Sequence, residues 1–171
     1  MLGPFKDLYH RKMKQSRGEL PDYYTQKIEE TVRLKILMHY FDDYGFILSN
    51  DSWKRYCQRE LNHKITDDSG FHKYLLTCDA EEFLSALQII FIAGLESYDS
   101  QVRYGLNQFI DKINKIFQIE KVGYEISIIP NTNQTDIPIL IVPFDSKYLY
   151  DETIQKTRIL LNNFEFDGAL N

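Results

Sequence analysis

The segment from Phe83 to Ile92 constrains the fold most, because apolar side chains occupy nearly every side of a helix built from it. Asp79 precedes the segment and Glu82 follows three residues later, which is the pattern of a capping box. Such a helix has to be covered by other elements, so we expect it at the centre of a helical bundle. It contains Ser85 and Gln88 and is too short to span a bilayer.

Amphipathic patterns before and after this segment predict the helices that cover it. One ends before Gly18, and a second runs from about Glu29 to Tyr44. A third begins after Asn50 or Asp51, both of which are good N-caps. Another covers about Asp99 to Gln118, whereas the stretch 64–78 is polar and is interpreted as a turn. Within the third helix the side chains expected to face inward are those of Trp53, Tyr56, Cys57 and Leu61.

The character of the sequence changes near its end. Residues 124–129 alternate in polarity, residues 137–142 form a second run of β-branched residues, and a turn cluster separates them. Together they predict one antiparallel hairpin, and a last helix is expected over about Lys147 to Asn162. The predicted fold is α+β and predominantly α, with about six helices and one late hairpin. We expect one domain over 1–171: helical over 1–121, the hairpin over 122–144 and a closing helix over 145–171.

Composition narrows the function classes. The chain has 171 residues, a net charge of -5 and only two cysteines. Two cysteines make no disulfide framework, which favours a reducing, cytoplasmic location. The mild acidity gives no general attraction to nucleic acid or to anionic membranes, and we expect no membrane partner.

Two sets of residues are of the types that bind metals. Cys57, His63, His72 and Cys78 are potential zinc ligands, but they lack the tight spacing of a zinc knuckle. The second set, which loosely imitates a magnesium-dependent nuclease, consists of Asp136, Asp145 and Lys147. We interpret the cysteines as core residues and Asp145 as part of a helix cap. We therefore predict no metal and no cofactor.

Arg33 and His39 form the one catalytic alternative. Their spacing, with five residues between them, fits the motif of HEPN-type ribonucleases. In that chemistry the histidine acts as acid or base and the arginine holds the phosphate. Residues six apart point about 120° away from each other on a regular helix. This separation weakens the catalytic interpretation and favours structural roles for both side chains.

A second alternative is a basic N-terminal arm that binds nucleic acid. Aromatic residues interleave with the basic ones in the first helix, so the arm has the residue types that contact phosphates and stack on bases. The candidate contacts are Lys6, Arg11, Lys12 and Lys14. The competing interpretation is a solvated face of a helix that packs Phe5 and Leu8 on the body.

The stretch from Leu8 to Tyr24, above all Arg17-Gly-Glu-Leu-Pro-Asp-Tyr-Tyr, resembles the opening of bacterial proteins that carry an AbiJ-type N-terminal domain. The sequences at 29–36, 122–125, 145–149 and 163–171 are similar to later parts of that domain. The chain departs from the usual opening at Tyr9-His10 and has a longer polar turn at 131–136.

The resemblance implies a non-catalytic sensor or regulatory module of an abortive-infection, anti-phage protein. Such modules usually precede a HEPN-related effector, so the implied partner is a C-terminal effector domain or a separate protein. A homodimer and RNA remain open as partners. Loops that mix charged and aromatic residues often carry recognition. The candidate binding residues are therefore those of one turn: Arg17, Glu19, Asp22, Tyr23 and Tyr24.

Overall fold

A computed structural model describes residues 4–19, 27–61, 67–128 and 139–143. The helices are α1 (Pro4–Ser16), α2 (Glu30–His39), α3 (Asn50–Leu61), α4 (Asp68–Thr77), α5 (Ala80–Glu96) and α6 (Ser100–Ile119). A π-helical turn, Tyr40–Tyr44, continues α2, and the strands are β1 (Tyr124–Ile128) and β2 (Ile139–Pro143). This predominantly helical α+β architecture confirms the predicted fold class. Within the described ranges, none of the helices combines the length and apolar character needed to cross a membrane.

Helix α5 is the central element, as its sequence predicts. It packs against α1, α3, α4 and α6, and nine of its seventeen residues are buried. The Asp79 carboxylate caps it by accepting a hydrogen bond from the Glu82 backbone N–H at 2.8 Å. Near its other end Gly94 lies against Leu106 of α6, and a Cβ at Gly94 would come within 2.9 Å of the Leu106 side chain. The glycine therefore sets how closely α5 and α6 approach.

Two helices end with a residue in the left-handed region. Gly18 ends α1 with a φ of 72°, and the Glu19 N–H then donates to the Lys14 carbonyl at 3.0 Å. Lys121 does the same after α6 with a φ of 53°, although it has a Cβ. There the Val122 N–H donates to the Phe117 carbonyl at 2.8 Å. Both patterns belong to the Schellman motif, which satisfies carbonyls that the helix end leaves unpaired.

The prediction of a turn over 64–78 is wrong for most of that stretch, which forms α4. The Asp67 carboxylate caps α4 by accepting a hydrogen bond from the Gly70 N–H at 2.6 Å. Phe71 and Leu75, four residues apart, are fully buried on its inner face. The cap and this burial outweigh the cost of about 1 kcal/mol for a glycine in a helix.

The second and third helices differ from their predictions in detail. Helix α2 widens into a π turn after His39, so Tyr40 is buried whereas Phe41 is exposed. Helix α3 begins at Asn50 and is capped one residue earlier, because the Ser49 hydroxyl accepts from the Ser52 N–H at 3.3 Å. Trp53 and Cys57 face inward as predicted, but Tyr56 lies on the exposed side of α3.

The two predicted strands correspond to β1 and β2, which pair antiparallel with Ile126 opposite Ile141. Asn114 of α6 holds β1 from its other edge. Its side-chain amide donates to the Ile126 carbonyl at 2.9 Å, and its side-chain oxygen accepts from the Ile126 N–H at 2.8 Å. These two bonds add to the burial of Tyr124 and Ile126 in the core, so β1 is held to the helical body by packing and by hydrogen bonds. The predicted turn at 131–136 and the predicted closing helix lie outside the described residues.

Candidate functional site

Arg33 is a buried arginine that joins α2 to the end of α4. Only 4% of its surface is exposed. Its guanidinium donates to the main-chain carbonyls of Ile28 at 2.8 Å, Leu75 at 3.1 Å and Cys78 at 2.5 Å. It also lies 5.1 Å from the centre of the Phe83 ring. Two of these carbonyls belong to the C-terminal end of α4, where the helix itself supplies no donor. The side chain thus supplies donors to carbonyls that the helix end leaves unpaired.

An open groove lies beside Arg33. Its volume is about 600 Å³, and the start of α2, the α4–α5 junction and Lys12 line it. Cys78 also faces the groove, with its Sγ 3.6 Å from the Arg33 guanidinium. Burial raises the pKa of the Cys78 thiol to about 12, although Arg33 acts in the opposite direction. A thiol with so high a pKa is protonated at neutral pH and is a weak nucleophile.

His39 has surroundings different from those of Arg33. Its Nδ1 lies 3.5 Å from the carboxylate of Asp43 in the π-helical turn, and 38% of its side chain is exposed. Arg33 lines the groove, whereas His39 is not among the described residues that line it. Arg33 and His39, the two members of the HEPN-like motif, therefore contact different residues in the described part of the chain.

Two residues of the predicted basic arm, Tyr9 and Lys12, contact carboxylates of the same chain. Lys12 lies 2.8 Å from the carboxylate of Asp79 and 3.2 Å from that of Glu81. Burial lowers the pKa of Lys12, but the two carboxylates outweigh it, so the pKa is raised overall. The Tyr9 hydroxyl donates to the Glu82 carboxylate at 2.9 Å, which adds a second link between α1 and the start of α5. Lys14 is exposed, and the side chains of Lys6 and Arg11 lie outside the description.

The predicted recognition turn is described only at its start. Arg17 and Glu19 are exposed on either side of Gly18, and the backbone there is fixed by the end of α1. Among the described residues, neither side chain takes part in a salt bridge. Asp22, Tyr23 and Tyr24 lie outside the described residues.

The potential metal ligands are placed as follows. Cys57 is buried, Cys78 is half-buried, and both are free thiols. His72 packs edge to face on Phe41, with ring centres 4.9 Å apart. Within the described ranges, no three His, Cys, Asp or Glu side chains are grouped so that they could hold a metal ion. Residues 63, 136, 145 and 147 lie outside those ranges.

Sequence reasoning missed an exposed aromatic surface where the π-helical turn meets α6. We define the aromatic surface by three side chains, Tyr44, Phe46 and Tyr104. Phe46 and Tyr104 are 57% and 66% exposed. Tyr44 is half-buried and packs on Phe109, with ring centres 5.1 Å apart. No protein family, curated protein or solved structure matches the chain.

Proposed function

We propose that this chain is a non-catalytic sensor or regulatory module of an abortive-infection, anti-phage defence protein, and that it acts through protein contacts. Its partner is a C-terminal effector domain or a separate effector protein. The resemblance at residues 8–24 supports the biological setting. The observation that carries the non-catalytic part is the set of three carbonyl contacts that occupy Arg33.

The turn after α1 is the proposed contact surface. Gly18 holds it in a left-handed conformation, and Arg17 and Glu19 are exposed beside it. An arginine and a glutamate that are free of ion pairs within the described residues are available to a partner. A turn fixed by a Schellman motif loses little conformational entropy on binding, which favours recognition.

The biological role is tested by phage challenge. The natural full-length protein is expressed in its host, and plating efficiency is measured for a panel of phages. We expect wild type to lower plating and the double variant Arg17→Ala/Glu19→Ala to restore it. The matched control is Lys27→Ala/Glu29→Ala, which removes an exposed pair of the same charges 3.3 Å apart. The role is refuted if wild type protects against none of the phages, and the surface is refuted if the Arg17/Glu19 variant protects fully.

The absence of catalysis is tested separately with purified chain and total RNA in a metal chelator. Wild type and His39→Ala are compared at equal concentration. We expect the RNA profiles of both to match that of the buffer control. RNA cleavage by wild type that is lost in His39→Ala would establish the ribonuclease alternative and overturn the non-catalytic assignment.

A further inference from the structure

The aromatic surface combines close packing with exposure. The Phe46 ring lies on Gly105 so tightly that a Cβ there would be 2.4 Å from a ring carbon. Tyr104 is the neighbour of Gly105 in α6, yet most of it is exposed. The edge of the Phe46 ring therefore packs on α6, while most of the residue stays exposed. Large aromatic side chains held in this way are typical of the anchors of protein interfaces.

The π-helical turn builds one side of this surface. Tyr40 points into the core, where its hydroxyl donates to the Leu48 carbonyl. Tyr44, at the end of the turn, lies against α6, and Asp42 and Asp43 between them remain exposed. Single π turns within α-helices are found frequently at functional positions. Here the turn brings two carboxylates and an aromatic ring to the same end of α2.

Exposed carboxylates lie beside these rings, while the guanidinium of Arg103, next to Tyr104, donates to the Ser97 carbonyl. Asp43 directly precedes Tyr44 in the π-helical turn, and Asp111 lies seven residues after Tyr104, on the same face of α6; both carboxylates are exposed. Burial, then Asp43 and then Asp111 raise the pKa of the Tyr44 hydroxyl. The Nδ1 of His39 lies 3.5 Å from the Asp43 carboxylate. Aromatic faces and carboxylates both attract cations, whereas a phosphate backbone would be repelled by the carboxylates.

We propose that the aromatic surface, with Asp43 and Asp111, binds a lysine- or arginine-rich segment of a partner protein. The cationic side chains lie over the rings of Tyr44, Phe46 and Tyr104, and the carboxylates pair with them. This inference rests on the proposed function, because it names the chemistry of the protein that the module contacts. It concerns a surface separate from the Arg17–Glu19 turn.

The test is an NMR titration of the isotope-labelled chain. The probes are an acetylated decapeptide of alternating arginine and alanine, the matching peptide of glutamate and alanine, and a single-stranded RNA oligomer. We expect only the arginine peptide to shift the amide signals of Tyr44, Phe46 and Tyr104. The double variant Asp43→Asn/Asp111→Asn should weaken binding about fivefold, since each exposed ion pair contributes modestly. The charge-matched control Glu29→Gln/Glu30→Gln, at the other end of α2, should bind as wild type does.

Tyr104→Ala gives a second measurement of the same site. Tyr104 is 66% exposed, so the variant should fold normally, as checked by circular dichroism, and bind the arginine peptide more weakly. The inference is overturned if the arginine peptide does not bind, if it binds equally to the Asp43/Asp111 variant, or if RNA or self-association produces the same shifts. These results leave the phage assay unaffected. Loss of protection in the Arg17/Glu19 variant with no peptide binding would therefore refute this surface and retain the proposed function.

Discussion

Replacing Arg33 with alanine is expected to lower the free energy of unfolding by about 3–5 kcal/mol. Three main-chain carbonyls lose their donor, at about 1 kcal/mol each for buried groups left without a partner. Loss of the contact with the Phe83 ring adds about 0.5–2 kcal/mol. Ile28 and Cys78 line the adjacent open groove, where water can replace the lost donor, and this favours the lower half of the range. For a chain of this size the loss corresponds to about 6–20 °C in Tm.

Trp53 supplies the assay for this prediction. It is the only tryptophan, it is fully buried, and its indole N–H donates to the Ala86 carbonyl at 2.8 Å. Its fluorescence during urea unfolding therefore reports the loss of the core. His39→Ala is the control and should cost less than about 1 kcal/mol, because His39 makes an exposed contact with Asp43. Equal stability of Arg33→Ala and wild type would refute the structural role of Arg33.

Three further predictions concern packing, helix ends and pH. Gly94→Ala should lower the free energy of unfolding in urea by about 1–3 kcal/mol, because the clash with Leu106 exceeds the gain in helix propensity. A variant more stable than wild type would contradict the close approach of α5 and α6. Lys121→Gly should raise the free energy of unfolding by about 0.5–1 kcal/mol in the same assay, since glycine adopts a φ of 53° without a Cβ penalty. An unchanged or lower free energy of unfolding would count against the left-handed conformation at this helix end. Burial raises the folded-state pKa of Cys78 from 9.0 to about 12, so its contribution to stability is present below pH 9 and is lost as pH rises toward 12. Urea midpoints from pH 7 to 11 should fall above pH 9, and the fall should be smaller in Cys78→Ala; equal falls in both proteins would exclude Cys78 as a cause.

The central helix could be predicted from sequence because local chemistry specifies it. Asp79 caps α5 where the sequence indicates, and the apolar residues after it need burial whatever surrounds them. The missed helix α4 shows the limit of this reasoning. Gly70 and the polar residues around it suggest a turn, but Phe71 and Leu75 are buried only because other helices cover them. Tertiary packing therefore decides a segment whose local signals conflict.

The helical pattern of α2 predicts that Arg33 is buried, but it does not predict which groups Arg33 contacts. Arg33 lies three and four residues before Ile36 and Leu37, so the sequence places it among buried side chains. Its acceptors Leu75 and Cys78 lie 42 and 45 residues further along the chain, and no local pattern connects them to Arg33. The aromatic surface has the same origin, since Phe46 and Gly105 meet only after α6 packs beside the π-helical turn.

The paired hydrogen bonds of Asn114 have a mechanical consequence for the hairpin. They engage both main-chain polar groups of Ile126 on the edge of β1 that faces away from β2. Since the main-chain polar groups of successive residues in a strand point to opposite edges, a shift of β1 by a single position would turn these groups away from the amide. Asn114 thus fixes the position of β1 along α6. An extended peptide can add a strand at that edge only after the two hydrogen bonds of Asn114 break.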